Sequence, residues 1–218
     1  PDRRVLTNGL IAIKNGVLTA IGTDRGISGA IRADRTIDAH GALVHPGFID
    51  THIHLLYHNI RWGIEDGAGW GEALPIHQEY GQLVDPDIAS VSAKLAALEM
   101  ARNGTTCFLE AGGVANGDAV SSAIEDVGIR GLLGGPFVRD IMPDSSGTAE
   151  EHREVALDNL GVELKRNSDP NGLVRGVVTV SGMGSVSDEL LLAAKSMSDD
   201  HGVVLNMHQS YQMEDTEN

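Results

Sequence analysis

His52-Ile53-His54 places two imidazoles two residues apart. On an extended strand residues i and i+2 share a face, so both rings can turn towards one ion. A third histidine, His208, directly follows the apolar run Val203-Val204-Leu205-Asn206-Met207. Histidines at the ends of separate strands meet across the mouth of a barrel, and three neutral imidazoles suit one divalent ion, zinc or iron. With a coordination position left open, such an ion would bring the pKa of a bound water towards about 7, so the chemistry expected is metal-assisted hydrolysis. A lone His-x-His has little specificity, and two solvated or hydrogen-bonded histidines are the structural alternative. The position of the pair at a strand end favours the site.

Other residues are weaker candidates. Tyr57 and His58 follow the pair and are candidates to bind substrate, or else to pack. Trp70 is a candidate lid aromatic over a planar substrate, with simple packing as the alternative, and Met183 and Gln209 are further candidates for substrate contact. Glu110 ends an apolar run, where it either supports the site or forms a rim salt bridge. His40, His45, His77, His152 and His201 receive no role. Cys107, inside the run Thr105 to Leu109, reads as a buried strand residue and not as a nucleophile.

The elements that must position these groups follow from periodicity. Residues 9 to 22 are two β-type runs separated by Asn15-Gly16, a dipeptide suited to a type I′ hairpin turn. With a third short run from Arg35 to Asp38, residues 1 to 42 are expected to form a small β-subdomain. From Leu43 onward, apolar runs alternate with helical patterns, the sign of βαβ units. Strands are expected at Leu43 to Asp50, Thr105 to Leu109, Ile129 to Leu133, Leu173 to Val180 and Val203 to Met207. Helices are expected at Asp87 to Asn103, Asp118 to Val127, Glu150 to Asn167 and Asp188 to Asp199. In the first of these the apolar stripe is Ile88, Val91, Leu95, Leu98 and Ala101, and a capping box is expected at Ser185 to Asp188. Residues 55 to 85, rich in glycine, are expected to be an irregular covering segment.

The fold class expected is α/β, a (β/α)8 barrel of the TIM type of which residues 43 to 218 form the first part, with about five strands. Eight strands are needed for closure, so later residues or a second chain are expected to complete it. The composition, 41% hydrophobic and 22% charged, is that of a globular protein. A net charge of −15, from 16 basic and 31 acidic residues, argues against nucleic acid or an anionic membrane as partner. A small-molecule substrate, a cytoplasmic location and a homo-oligomer are expected.

The stretch Asp38-Ala39-His40-Gly41-Ala42-Leu43-Val44-His45-Pro46-Gly47-Phe48-Ile49-Asp50-Thr51-His52-Ile53-His54 resembles the signature of the amidohydrolase superfamily. Arg61-Trp62-Gly63-Ile64-Glu65-Asp66, Glu99-Met100-Ala101-Arg102-Asn103-Gly104-Thr105-Thr106 and Ser187-Asp188-Glu189-Leu190-Leu191 resemble, in order and spacing, the branch of triazine hydrolases and cytosine or guanine deaminases. The resemblance extends from Val5 to His208. It implies a mononuclear site with His52 and His54 from strand one and His208 from strand five, joined by a strand-six His and a strand-eight Asp that would fall beyond Asn218. Binuclear relatives use a strand-four lysine, which the run Leu173 to Val180 lacks.

The implied activity is hydrolysis of a C–N bond in a small cyclic or heteroaromatic compound, by a deaminase or chlorohydrolase-like enzyme. The alternatives are an amidohydrolase acting on a non-aromatic amide or ring C–N bond, and a catalytically silent metal-binding or split-barrel subunit. One departure bears on this: deaminases of the branch carry Glu three residues after the strand-five histidine, whereas this chain has Tyr211. Tyr211 is the candidate catalytic residue, a hydrogen-bond or proton donor rather than a base at neutral pH.

Overall fold

The computed structural model describes residues 5–23, 31–142 and 145–209, with the Trp70 side chain also outside the description. The chain divides into two compact units, Pro1–Pro46 and Gly47–Asn218. In the first, β1 (Gly9–Lys14) and β2 (Val17–Thr23) form an antiparallel hairpin in which Lys14 faces Val17. Asn15 and Gly16 both take positive φ, 51° and 76°, as a type I′ turn requires. The strand expected at Arg35 to Asp38 does not form. The Asp38 side chain instead accepts the His40 N–H at 2.7 Å, and His40 and Gly41 both adopt left-handed φ, so local Asx-turn chemistry displaces extended pairing.

The second unit is the leading portion of a parallel (β/α) barrel. Its strands are β3 (Phe48–Ile53), β4 (Thr105–Glu110), β5 (Arg130–Leu133), β6 (Val174–Gly176), β7 (Val178–Gly182) and β8 (Leu205–His208). Each pairs in parallel with its neighbour in sequence, except that β6 and β7 are one expected strand broken at Val177. β6 pairs with β5 and β7 with β8, while the Val177 N–H reaches the Leu133 carbonyl at 2.9 Å. Five barrel strands therefore stand in sequence order. β3 begins at Phe48 rather than Leu43, so the strand itself carries His52 and ends next to His54.

The helices are α1 (Trp70–Leu83), α2 (Pro86–Arg102), α3 (Gly117–Val127), α4 (Ala149–Leu164) and α5 (Asp188–His201). Residues 55 to 85, expected to be irregular, are mostly helical: a 3-10 segment at Leu55–Gly63 precedes α1. Leu55 and Leu56 are buried, and the Ser92 hydroxyl donates to both their carbonyls at 2.6 and 3.1 Å. These bonds fasten the 3-10 segment to α2.

The apolar stripe expected on α2 faces the wrong way. Val91, Leu95 and Leu98 are exposed, while Ala89, Ser92, Ala93, Ala96, Ala97 and Met100 are buried. Ala89, Ala93, Ala96 and Ala97 belong to the same core cluster as Phe108, Ile124 and Leu133. Small residues let α2 lie close against α3 and the 3-10 segment, and the bulk of the core comes from Leu55, Val120 and Ile124 together with Phe108 and Leu133. Phe108 fits because the facing position is Gly131, where a Cβ would lie 2.5 Å from its ring.

Helix ends follow side-chain chemistry. Asp85 accepts the Ile88 N–H at the start of α2, and Thr148 and Glu151 form a reciprocal capping box on α4. At α5 the cap is Ser187, whose hydroxyl accepts from the Leu190 N–H at 3.1 Å. Ser185 instead donates to the Gly182 carbonyl. Buried Asp140 takes the Ser187 N–H and hydroxyl and an Arg153 N–H, tying the loop after β5 to the starts of α4 and α5.

Candidate metal centre

His52 lies in β3, His54 follows it, and His208 ends β8. Parallel pairing puts all these termini on one rim, and the three side chains converge there: one ligand atom from each lies within 4.8 Å of those of the others. His54 and His208 stack, 5.1 Å between centroids and 5° between planes, and the ring of His52 stands edge-on to both.

The donor atoms are fixed from behind. His54 Nδ1 donates to the Gly112 carbonyl at 2.8 Å, and His208 Nδ1 donates to the Ser181 carbonyl at 3.0 Å. With Nδ1 carrying the proton, Nε2 of each neutral ring offers a lone pair. These two Nε2 atoms are 3.2 Å apart. Two lone pairs at that separation are compatible only with a proton or a metal ion between them, and two nitrogens bound tetrahedrally to zinc at roughly 2.0–2.1 Å are separated by about 3.3 Å. The residues present therefore fit a divalent metal ion.

The electrostatics favour the neutral ligand form at two of the three rings. Burial holds His208 below the usual histidine range, with His54 and His52 adding to the effect and the Ser181 carbonyl opposing it. Burial also lowers His52, reinforced by His54 and partly offset by Asp50. Neutral imidazole, the ligand form, is thus favoured at both. Burial acts against protonation of His54 too, but the Glu110 carboxylate and the Gly112 carbonyl outweigh it and raise its pKa.

Tyr57 stands 6.3 Å from His54 between ring centroids and stacks on His77 of α1 at 4.2 Å. Burial raises its phenol pKa, which keeps the group neutral. His58 turns to α2 instead: its Nε2 lies 2.9 Å from both the Glu99 carboxylate and Arg61 Nη1. Gln209 donates to the Met183 sulfur at 3.6 Å, which joins these two candidates beside His208. Trp70 opens α1, its side chain lying outside the described atoms, and Tyr211 lies outside the described residues altogether.

Two participants escaped sequence reasoning. Phe137, in the loop after β5, sits 5.9 Å from the His54 ring and 5.7 Å from the His208 ring. Its signal was position, since loops at the C-terminal ends of barrel strands build sites. Gly112 is the other; its φ of 103° turns the carbonyl onto His54, and Gly135 holds the same turn by accepting the Gly113 and Val114 N–H groups.

The comparisons with known proteins bear on the family and the fold. The chain is 30% identical to the 5-methylthioadenosine/S-adenosylhomocysteine deaminase of Aquifex aeolicus, over 95% of its own length and 46% of that protein's. The chain thus spans about half the length of the curated relatives it matches. Among solved structures, a zinc-bound adenosine deaminase from Xanthomonas campestris superposes with a TM-score of 0.80 at 21% identity, covering 97% of this chain and 47% of that one. A triazine hydrolase from Arthrobacter aurescens superposes at 0.73 with 23% identity, over 92% and 47% of the two chains. The sequence pattern of the Amidohydrolase family matches residues 43–218, from the start of the expected barrel past the third histidine, and the chain belongs to that family.

Proposed function

We propose that this chain provides the leading part of a metal-dependent hydrolase that cleaves a C–N bond in a small heteroaromatic compound, with His52, His54 and His208 holding one zinc or iron ion. The observation that carries this reading is the pair of carbonyl-locked imidazoles whose Nε2 atoms face each other at 3.2 Å. When bound, the ion would lower the pKa of a water molecule towards about 7. The chain's own residues hold the ligand geometry, and Tyr57 and Phe137 add aromatic surface beside it. A flat ring suits such surfaces. Met183 and Gln209 lie at the His208 side of the same rim, where they are candidates for substrate contact.

The first substrates to test are adenine nucleosides, because the similar proteins from Aquifex and Xanthomonas are named as deaminases of such compounds. Tyr211, standing where deaminases carry Glu, supports a second reading, hydrolysis of a non-aromatic amide or ring C–N bond. In either case Tyr211 acts as a hydrogen-bond donor to developing negative charge. Completion of the barrel by further residues or a second chain belongs to this reading, as does a separate β-subdomain at residues 1–42; the division of the chain near Pro46 supports the latter. The experiment follows product formation by the full-length, zinc-loaded protein before and after chelation: ammonia from adenine nucleosides and aminotriazines, and the ring-opened amino acid from cyclic amides. Turnover of a heteroaromatic amine that is lost with the metal is the result expected. Turnover of cyclic amides alone would favour the second reading, and turnover that survives metal removal would refute both.

A further inference from the structure

We infer that Glu110 is a positioning residue for the metal centre: from β4 its carboxylate holds His54 with the proton on Nδ1 and the Nε2 lone pair presented to the ion. The inference rests on the metal-centre reading of the histidine trio.

Glu110 is the last residue of β4, and its side chain is fully buried. One carboxylate oxygen, Oε2, accepts the Gly112 N–H at 2.9 Å. The carbonyl of the same glycine accepts His54 Nδ1–H at 2.8 Å. The carboxylate is therefore linked to the imidazole through one residue's backbone, held at both ends. The second oxygen, Oε1, has no hydrogen-bond partner among the described residues and lies 3.8 Å from His54 Nδ1. A buried carboxylate that leaves acceptor capacity unused is costly, and it persists only where something else requires it.

The group it faces is the His54 N–H. Among the described residues no lysine or arginine forms an ion pair with Glu110, so a rim salt bridge is not its role there. A negative group behind Nδ1–H fixes the tautomer and makes Nε2 a stronger donor to a metal. The backbone is shaped for this arrangement. Gly112 has a φ of 103°, and a Cβ there would meet Phe137 at 3.1 Å and Thr179 at 3.3 Å. His208 Nδ1, by contrast, is held by the Ser181 carbonyl. His54 is the ligand with a carboxylate behind it.

The test uses the full-length protein as wild type, Glu110→Gln and Glu110→Ala, with Glu99→Gln as a surface control. Zinc affinity is measured by chelator competition, folding by circular dichroism, and the His54 tautomer by nitrogen-15 NMR on metal-free protein at alkaline pH. Glu110→Ala is expected to weaken zinc binding about 10- to 100-fold with the fold retained. Glu110→Gln, which keeps an acceptor for the Gly112 N–H but loses the charge, should fall between that variant and wild type and shift His54 from the Nδ1–H form towards a tautomer mixture. Glu99→Gln should leave both unchanged. Wild-type affinity and tautomer in Glu110→Gln would overturn the inference, and this variant decides it even if Glu110→Ala does not fold. If wild type and His54→Ala bind zinc alike, the metal-centre reading fails, whereas the tautomer measurement still judges the role of Glu110.

Discussion

Two histidine–glutamate pairs in this molecule use the same residue types to opposite ends. At the surface, His58 and Arg61 both engage Glu99 on α2, Arg61 with two contacts of 2.6 Å. At the strand rim, among the described residues, His54 is the basic side chain paired with Glu110, whose carboxylate is fully buried. Hydrogen bonds from Arg61 and then His58 hold Glu99 down at about 2, while burial pushes Glu110 above the ordinary carboxylate range, against the pull of His54 and Gly112. A solvated pair with a permanent cation is a modest, salt-sensitive fastening. A buried carboxylate with a single imidazole partner is tied to whatever that imidazole does. The chemistry of a His–Glu pair is thus set by the third partner and by water, not by the two residues.

The largest effect should come from the histidine farthest in sequence from the others. His208→Ala removes one of three converging nitrogens, and the full-length protein should lose its bound metal while circular dichroism stays that of wild type. Retention of one tightly held metal would separate His208 from the rim site. A smaller effect is expected from Gly112→Ala, which forces a side chain into a φ of 103° against Phe137. Strain of this kind costs about 1–3 kcal/mol. Thermal or denaturant unfolding should show that loss, and zinc affinity should fall with it as the carbonyl leaves His54. Unchanged affinity despite lower stability would break the link between the turn and the ligand.

The rim pair was half legible in the sequence. His52 and His54 declare themselves by spacing, and His208 by following an apolar strand, because period-two alternation and strand termini are local properties. Glu110 showed only as a strand end, since its burial and its partner arise from pairing with β3 and from a turn two residues later. The same limit explains the face of α2. Counting large apolar residues selects Val91, Leu95 and Leu98, but close packing against α3 and the 3-10 segment needs small ones, and only the packed neighbours reveal that Ala93, Ala96 and Ala97 are the inner face. Ser185 and Ser187 are alike in sequence, and the choice between them is made by Asp140, 47 residues away.

The smallest effect should be that of the surface pair. Glu99 has a folded-state pKa depressed from 4.5 to about 2, so its contribution to stability is present above about 4.5 and is lost as pH falls towards 2. The stability difference between wild type and Glu99→Gln should therefore be constant at neutral pH, shrink in high salt, and fall steadily through that acid window. A difference undiminished at pH 2 would mean that Glu99 acts through packing instead of charge.

The central claim, that three strand-end histidines hold one divalent ion, is tested most directly by anomalous diffraction at the zinc edge from crystals of the zinc-loaded full-length protein. The expected result is a peak at the rim with His52, His54 and His208 nitrogens about 2.0–2.1 Å away and His54 Nδ1 still directed at Gly112. A peak elsewhere, or one at the rim that His208 does not touch, would contradict the account.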